Sequence, residues 1–194
     1  MEENVTVGIA TWNSSLSLTA VLEALSLQEI PALETIVYDN GSVDGTPQMV
    51  EEQIKNRYWS WLQLRAFKTS HVAGDREINI PFMRSLIVKE CNTPLIFFLD
   101  HDVLIPPHSL QELVHDFLEQ EKNSVGMLGM CYEPLHGHVT MGATLMRTEV
   151  AKKIQWQMDS LCDCQNTIKQ LAGMGLQAKY SEGLTARHLK LNTV

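Results

Sequence analysis

The sequence is short of cysteine, of positive charge and of long apolar runs, and each shortage narrows what the chain can be. Its 194 residues include four cysteines, Cys91, Cys131, Cys162 and Cys164, with no CxxC pair among them. That argues against a disulfide scaffold, and reduced thiols in a cytoplasmic compartment are the expectation. Lys and Arg number 15 against 23 Asp and Glu, a net charge of −8, with a pI near 5.3. Proteins that grip nucleic-acid backbones by bulk charge need clustered basic residues, so that class is set aside. No apolar run approaches the roughly 18 residues of a membrane-spanning helix. The opening MEENVTVGIATWN has no basic stretch followed by an apolar one, so a soluble chain without a leader is expected. Glycine and proline together make up 18 residues, and no repeat or low-complexity tract appears, which argues against collagen and disorder.

What remains is an ordinary globular composition, 44% hydrophobic, of a length that suits one domain. The acidity is uneven. From Lys152 to Val194 six basic residues face three acidic ones, so the first 151 residues carry −11 and the remainder +3. A solvated acidic surface and a gathering of carboxylates at a cation site are both open readings of that excess.

Apolar runs alternate with helix-like segments along the chain. Strands are expected over Val5–Trp12, Glu34–Asp39, Trp61–Phe67, Pro94–Leu99, Val125–Cys131, Val139–Met146 and Leu176–Tyr180. Helices are expected over Ser17–Gln28, from Thr46-Pro47 to Arg57, and over Asn79–Cys91, Pro107–Gln120, Thr148–Ile154 and Leu161–Met174. The run PLIFFL reads as a strand covered on both faces. Such alternation implies an αβα sandwich around a mainly parallel sheet. Ligands of these sheets bind beyond the carboxyl ends of the strands. Thr11–Asn13, Asp39–Asp44 and Asp100–Asp102 therefore fall on one edge.

Two constellations stand there. Asp100-His101-Asp102 places two carboxylates just after a buried strand, where hard cations such as Mg²⁺ or Mn²⁺ find oxygen ligands. A solvated Asp turn explains the same residues. Val37–Thr46 reads VYDNGSVDGT, in which Gly41 and Gly45 tolerate positive φ and Asp39 ends a strand. It is either a nucleotide-facing loop or a plain strand-to-helix turn.

The stretches TVGIATWN, LEALSLQ and ETIVYDNGSVDGT resemble the opening of the family 2 inverting glycosyltransferases of the GT-A fold. The resemblance continues through Asn79–Asp102, a helix with an Arg near its start and an apolar strand closing in Asp-x-Asp. It continues again through Gly142–Arg147, Cys162-Asp163-Cys164, Gly175, Lys179-Tyr180 and His188. It implies a metal-dependent, inverting, hexosyltransferase-type enzyme. A UDP- or GDP-sugar would be the donor, Mn²⁺ or Mg²⁺ the cofactor, and an unspecified hydroxyl compound the acceptor. Residues 1–102 would bind the nucleotide-sugar and residues 103–194 the acceptor, within a single domain that is free to form a homo-oligomer. Thr11, Asn13, Asp39, Arg84 and Asp100 would meet the donor. Asp102, with Asp100 and His188, would hold the metal. Asp163 would be the general base.

The chain departs from that pattern in two places. Cys162 stands where the family carries Glu before the catalytic Asp, and a gapless count back from Gly175 puts Cys164 at the base position. Ser85 replaces the Asn that follows the Arg. A catalytically weak nucleotide-sugar-binding or assembly subunit is therefore a competing expectation. So is a nucleotidyltransferase, although ATWNSS lacks that class's basic, glycine-rich phosphate loop. His136-Gly137-His138 is read as a loop or a donor or acceptor contact. Trp59 and Trp61 are read as core or as a sugar-stacking rim, and Met127–Met146 as core. Cys162-x-Cys164 lacks a second Cys/His pair for a soft metal.

Overall fold

A computed structural model describes residues 4–28, 30, 34–56, 63–69, 80–132, 138–156 and 163–189. The strands are β1 Val5–Thr11, β2 Glu34–Asp39, β3 Gln63–Lys68, β4 Leu95–Leu99, β5 Val103–Leu104, β6 Val125–Cys131, β7 Ala143–Arg147, β8 Gln177–Thr185 and β9 Arg187–His188. The helices are α1 Ser15–Ser26, α2 Thr46–Asn56, α3 Ile80–Glu90, α4 Ser109–Glu121, α5 Thr148–Ala151 and α6 Asp163–Gly173. Seven strands form one sheet in the order β3-β2-β1-β4-β7-β6-β8. Every pairing is parallel except those of β7 with β4 and with β6. The expected αβα sandwich with a mainly parallel sheet is thus observed.

Period-two alternation splits the core between the two faces. Leu95, Phe97 and Leu99 of β4 join Val5, Val7 and Ile9 on one side, under α1 and α4. Ile96 and Phe98 join Met83, Ile87 and Met146 on the other. All five β4 side chains are buried, as PLIFFL predicts. Helix α3 lies close on β1: a Cβ on Gly8 would stand 2.4 Å from Ile87 Cγ2. That close approach sets the position of Arg84, one turn before Ile87 on the same helix.

Several boundaries differ from expectation. The strand expected over Val139–Met146 begins only at Ala143, because residues 139–142 are irregular. Val139 and Met141 are apolar because they pack in the core, not because they pair. The last strand runs on to Thr185, with register breaks against β6 that let it bend. Thr148–Ile154 contains a helix of only one turn. The two-residue strands β5 and β9 are too short to leave a periodic signal. Arg57, Trp59, Trp61, Asn79, His136, Gly137 and Cys162 lie outside the described residues. Among the described residues no helix is long and apolar enough to cross a membrane.

Because β7 alone runs backwards, its first residue meets the last residue of β4. The carboxyl ends of β1, β2, β4 and β6 and the amino end of β7 then share one edge, where the Asp-x-Asp turn sits.

Candidate active site

At the donor end, Thr11 and Asp39 stand side by side where β1 and β2 finish. The loops that follow are bonded to each other. Asn40 donates its N–H to the Thr11 carbonyl at 2.9 Å. Asn13, at φ 48°, donates its N–H to Ser42 Oγ at 2.8 Å, and its Oδ1 accepts from the Val43 N–H at 2.9 Å. Asp39 accepts the Ser42 N–H at 3.0 Å and also the Ser42 hydroxyl. Gly41 and Gly45 adopt positive φ, as expected. Of the three residues predicted to meet a nucleotide here, Asn13 is exposed, whereas Thr11 and Asp39 are buried. The Thr11 hydroxyl has no hydrogen-bond partner among the described residues.

Asp44 closes the same shelf. Its carboxylate accepts from the Thr46 N–H at 3.0 Å, the Thr46 hydroxyl at 2.5 Å and the Ser15 N–H at 3.1 Å. Burial pushes its pKa up, but these hydrogen bonds outweigh that, and the net shift from the ordinary 3.8 is downward.

Asp100-His101-Asp102 forms the turn after β4. The Asp100 N–H donates to the Gly142 carbonyl at 2.9 Å, which ties the turn to the start of β7. The pairing of β5 with β9 sets Val103 opposite His188, and the Leu189 N–H donates to the Asp102 carbonyl at 2.6 Å. This ladder brings His188 Nε2 to 3.4 Å from Asp102 Oδ2. Among the described residues no three His, Cys, Asp or Glu side chains gather as a metal-binding group. Asp102 and His188 supply one carboxylate and one imidazole, donors that would suit a cation of the Mg²⁺ or Mn²⁺ kind.

Asp100 faces the other way. Arg84, with a side chain only 5% exposed, donates from Nη2 to Asp100 Oδ1 at 2.9 Å and from Nη1 to Asp163 Oδ2. Its guanidinium also lies 5.7 Å from the centre of the Phe98 ring, a cation–π contact. The planar fork of an arginine suits it to join two carboxylates that come from separate elements. Asp163 is the first residue of α6, and its other oxygen accepts from the Cys164 thiol at 3.5 Å. Cys164 Sγ in turn accepts the Met141 N–H at 3.4 Å.

Arg84, Asp100, Tyr132, Asp163, Cys164 and His188 line one cavity of about 360 Å³. His138 reaches it too, and its carbonyl accepts the Tyr180 hydroxyl at 2.8 Å. Tyr132 follows β6, and its ring stacks on His188 with centroids 6.1 Å apart. Burial, with Asp100 nearby, pushes the Tyr132 phenol far above its ordinary range, so it stays protonated. Gly142 lies against both: a Cβ there would stand 2.3 Å from Asp100 Oδ2 and 2.3 Å from the Tyr132 hydroxyl. Tyr132 and Gly142 are the site residues that motif reading overlooked. The strand-end rule that selects Asp39 and Asp100 would have selected Tyr132, the first residue after its strand.

Residues 6–165 match the family model for glycosyl transferase family 2. The chain belongs to glycosyl transferase family 2. Its fold is that of solved GT-A glycosyltransferases. The mannosyltransferase PcManGT from Pyrobaculum calidifontis, solved with GDP-Man and Mn²⁺, superposes with a TM-score of 0.82 at 17% identity. That match covers 100% of this chain and 59% of PcManGT. S. aureus TarS 1–349 in complex with UDP-GlcNAc matches at 0.75 and 20% identity, over 98% of this chain and 60% of that one. Glucosyl-3-phosphoglycerate synthase from Mycobacterium tuberculosis, with Mn²⁺, UDP and glucosyl-3-phosphoglycerate, matches at 0.69 and 14% identity, over 97% and 73%. No curated protein matches the sequence. This family 2 chain spans about three fifths of the length of the PcManGT chain and of TarS 1–349, and 36% of the longer TarS chain.

Proposed function

We propose that the chain transfers a hexosyl group from a nucleoside-diphosphate sugar to an acceptor hydroxyl, with inversion and with a divalent cation. The observation that carries this reading is one cavity lined by both Asp163 and His188, with His188 paired to Asp102, in a family 2 chain. The nucleotide-sugars and Mn²⁺ bound by the solved glycosyltransferases named above support the choice of donor and metal.

Asp102 and His188 would hold the cation, which when bound neutralises charge on the leaving diphosphate. Asn13 and Asp39 belong to the shelf that faces the nucleotide. Arg84 holds Asp100 and Asp163 together, so the donor turn and the base keep a set separation. The acceptor oxygen bonds to the anomeric carbon as that carbon's bond to the diphosphate oxygen breaks. The hydroxyl proton passes to Asp163, and the nucleoside diphosphate leaves.

A thermal-shift screen of nucleoside diphosphates and their sugars, with and without Mn²⁺, identifies the donor, because a ligand of the folded state raises apparent stability. Asp163→Asn is expected to keep nucleotide affinity and to lose turnover by about 100-fold or more. A chain with no affinity for any nucleoside diphosphate in Mn²⁺ sinks the proposal.

One observation favours a second reading. Arg84 and Cys164 together engage both oxygens of Asp163, which leaves the base occupied. A catalytically weak nucleotide-sugar-binding subunit would look like this. Intact, metal-dependent binding without turnover on any donor would select it. Family membership sets the nucleotidyltransferase reading aside.

A further inference from the structure

Histidines that ligate metals almost always fix their second ring nitrogen through a hydrogen bond to a carboxylate, carbonyl or water. His188 makes no such bond to a described residue. Its Nε2 points to Asp102, while its Nδ1 is buried and has no hydrogen-bond partner among the described residues. The backbone of His188 is pinned by the β5–β9 ladder, but a ladder does not set the torsions of a side chain. The Tyr132 ring stacks beside the imidazole, its plane nearly parallel at 18° and the centroids 6.1 Å apart. Tyr132 in turn lies close against the backbone at Gly142, where a Cβ would stand 2.3 Å from its hydroxyl.

We propose that Tyr132 is the positioning residue of the cation site, its ring holding the His188 imidazole with Nε2 toward Asp102. The inference rests on the cation reading above. It assigns Tyr132 a task that is separate from contact with donor or acceptor. The aromatic face does the work, so a phenylalanine serves and an aliphatic side chain of similar bulk does not.

Mn²⁺ binding to the whole chain, titrated by electron paramagnetic resonance without any sugar donor, tests this. Tyr132→Phe should bind Mn²⁺ within about twofold of the wild type, and Tyr132→Leu about tenfold or more weakly, the scale on which outer-shell partners act on metal affinity. Nitrogen couplings from an imidazole should appear in the Mn²⁺ spectrum of the wild type and Tyr132→Phe, and be lost or altered in Tyr132→Leu. Equal Mn²⁺ affinity in the wild type and Tyr132→Leu overturns the proposal and leaves the cation reading standing. A wild type that does not bind Mn²⁺ at all overturns both. Should Tyr132→Leu fail to fold, the wild-type spectrum still decides, since a bound Mn²⁺ without imidazole coupling removes His188 from the site and the proposal with it.

Discussion

At Gly142 one added methyl group would decide whether the site holds its shape. Its Cβ would fall on Asp100 Oδ2 and on the Tyr132 hydroxyl, both of them constrained by other contacts. Gly142→Ala should therefore lower stability by about 1–3 kcal/mol, as overpacking commonly does, measured by urea denaturation. It should also weaken Mn²⁺ binding, because Tyr132 must move. Arg84 is the opposite case, a buried side chain whose charge is answered twice, by Asp100 and by Asp163. Arg84→Met should cost about 3–5 kcal/mol, since it leaves two partly buried carboxylates side by side without a cation. The family resemblance implies a donor-side place for Arg84. Nothing in the sequence shows that it also grips Asp163, because the two stand on helices far apart in the chain and the contact depends on how α6 docks.

At the scale of elements, the short β5–β9 ladder sets the distance between Asp102 and His188. Leu189→Pro removes the N–H that donates to the Asp102 carbonyl. Losing one hydrogen bond of that kind should cost about 1 kcal/mol. Mn²⁺ titration should show a much larger loss, because His188 is no longer aligned. The shelf between β2 and α2 has its own signature. The Asp44 pKa is lower when folded than when unfolded, so its contribution is complete above its ordinary 3.8 and is lost as pH falls through the folded value. Melting temperature followed from pH 6 downward should fall less steeply at the acid end for Asp44→Asn than for the wild type. The long strands and helices were legible as elements because burial on one or two faces imposes a period. β5 and β9 were not, since two residues carry none.

For the whole molecule, the acid-rich edge has a consequence for ligand order. Asp39, Asp100, Asp102 and Asp163 all lie along it, with Arg84 already paired. A diphosphate approaching without a cation meets net negative charge, so nucleoside diphosphate should stabilise the chain far more with Mn²⁺ than without. At a ligand concentration about 100 times Kd the gain should be about 2.7 kcal/mol, and a chelator should remove it. A thermal shift that is equal with and without metal would contradict this account of the edge.

The order of strands and helices, the burial of PLIFFL on both faces and the positions of Asp39, Asp100 and Asp102 at strand ends were determined by the sequence alone. Local periodicity and the direction of parallel strands are enough to place them. The structure alone decided which of these carboxylates face one another. It reversed β7, so that Gly142 meets Asp100, and it folded residues 187–189 back onto the Asp-x-Asp turn. It also split the pair, turning Asp100 to Arg84 and Asp102 to His188. Contacts of this kind join segments far apart in the chain, and their geometry is set by packing between layers, which no local pattern of residues encodes.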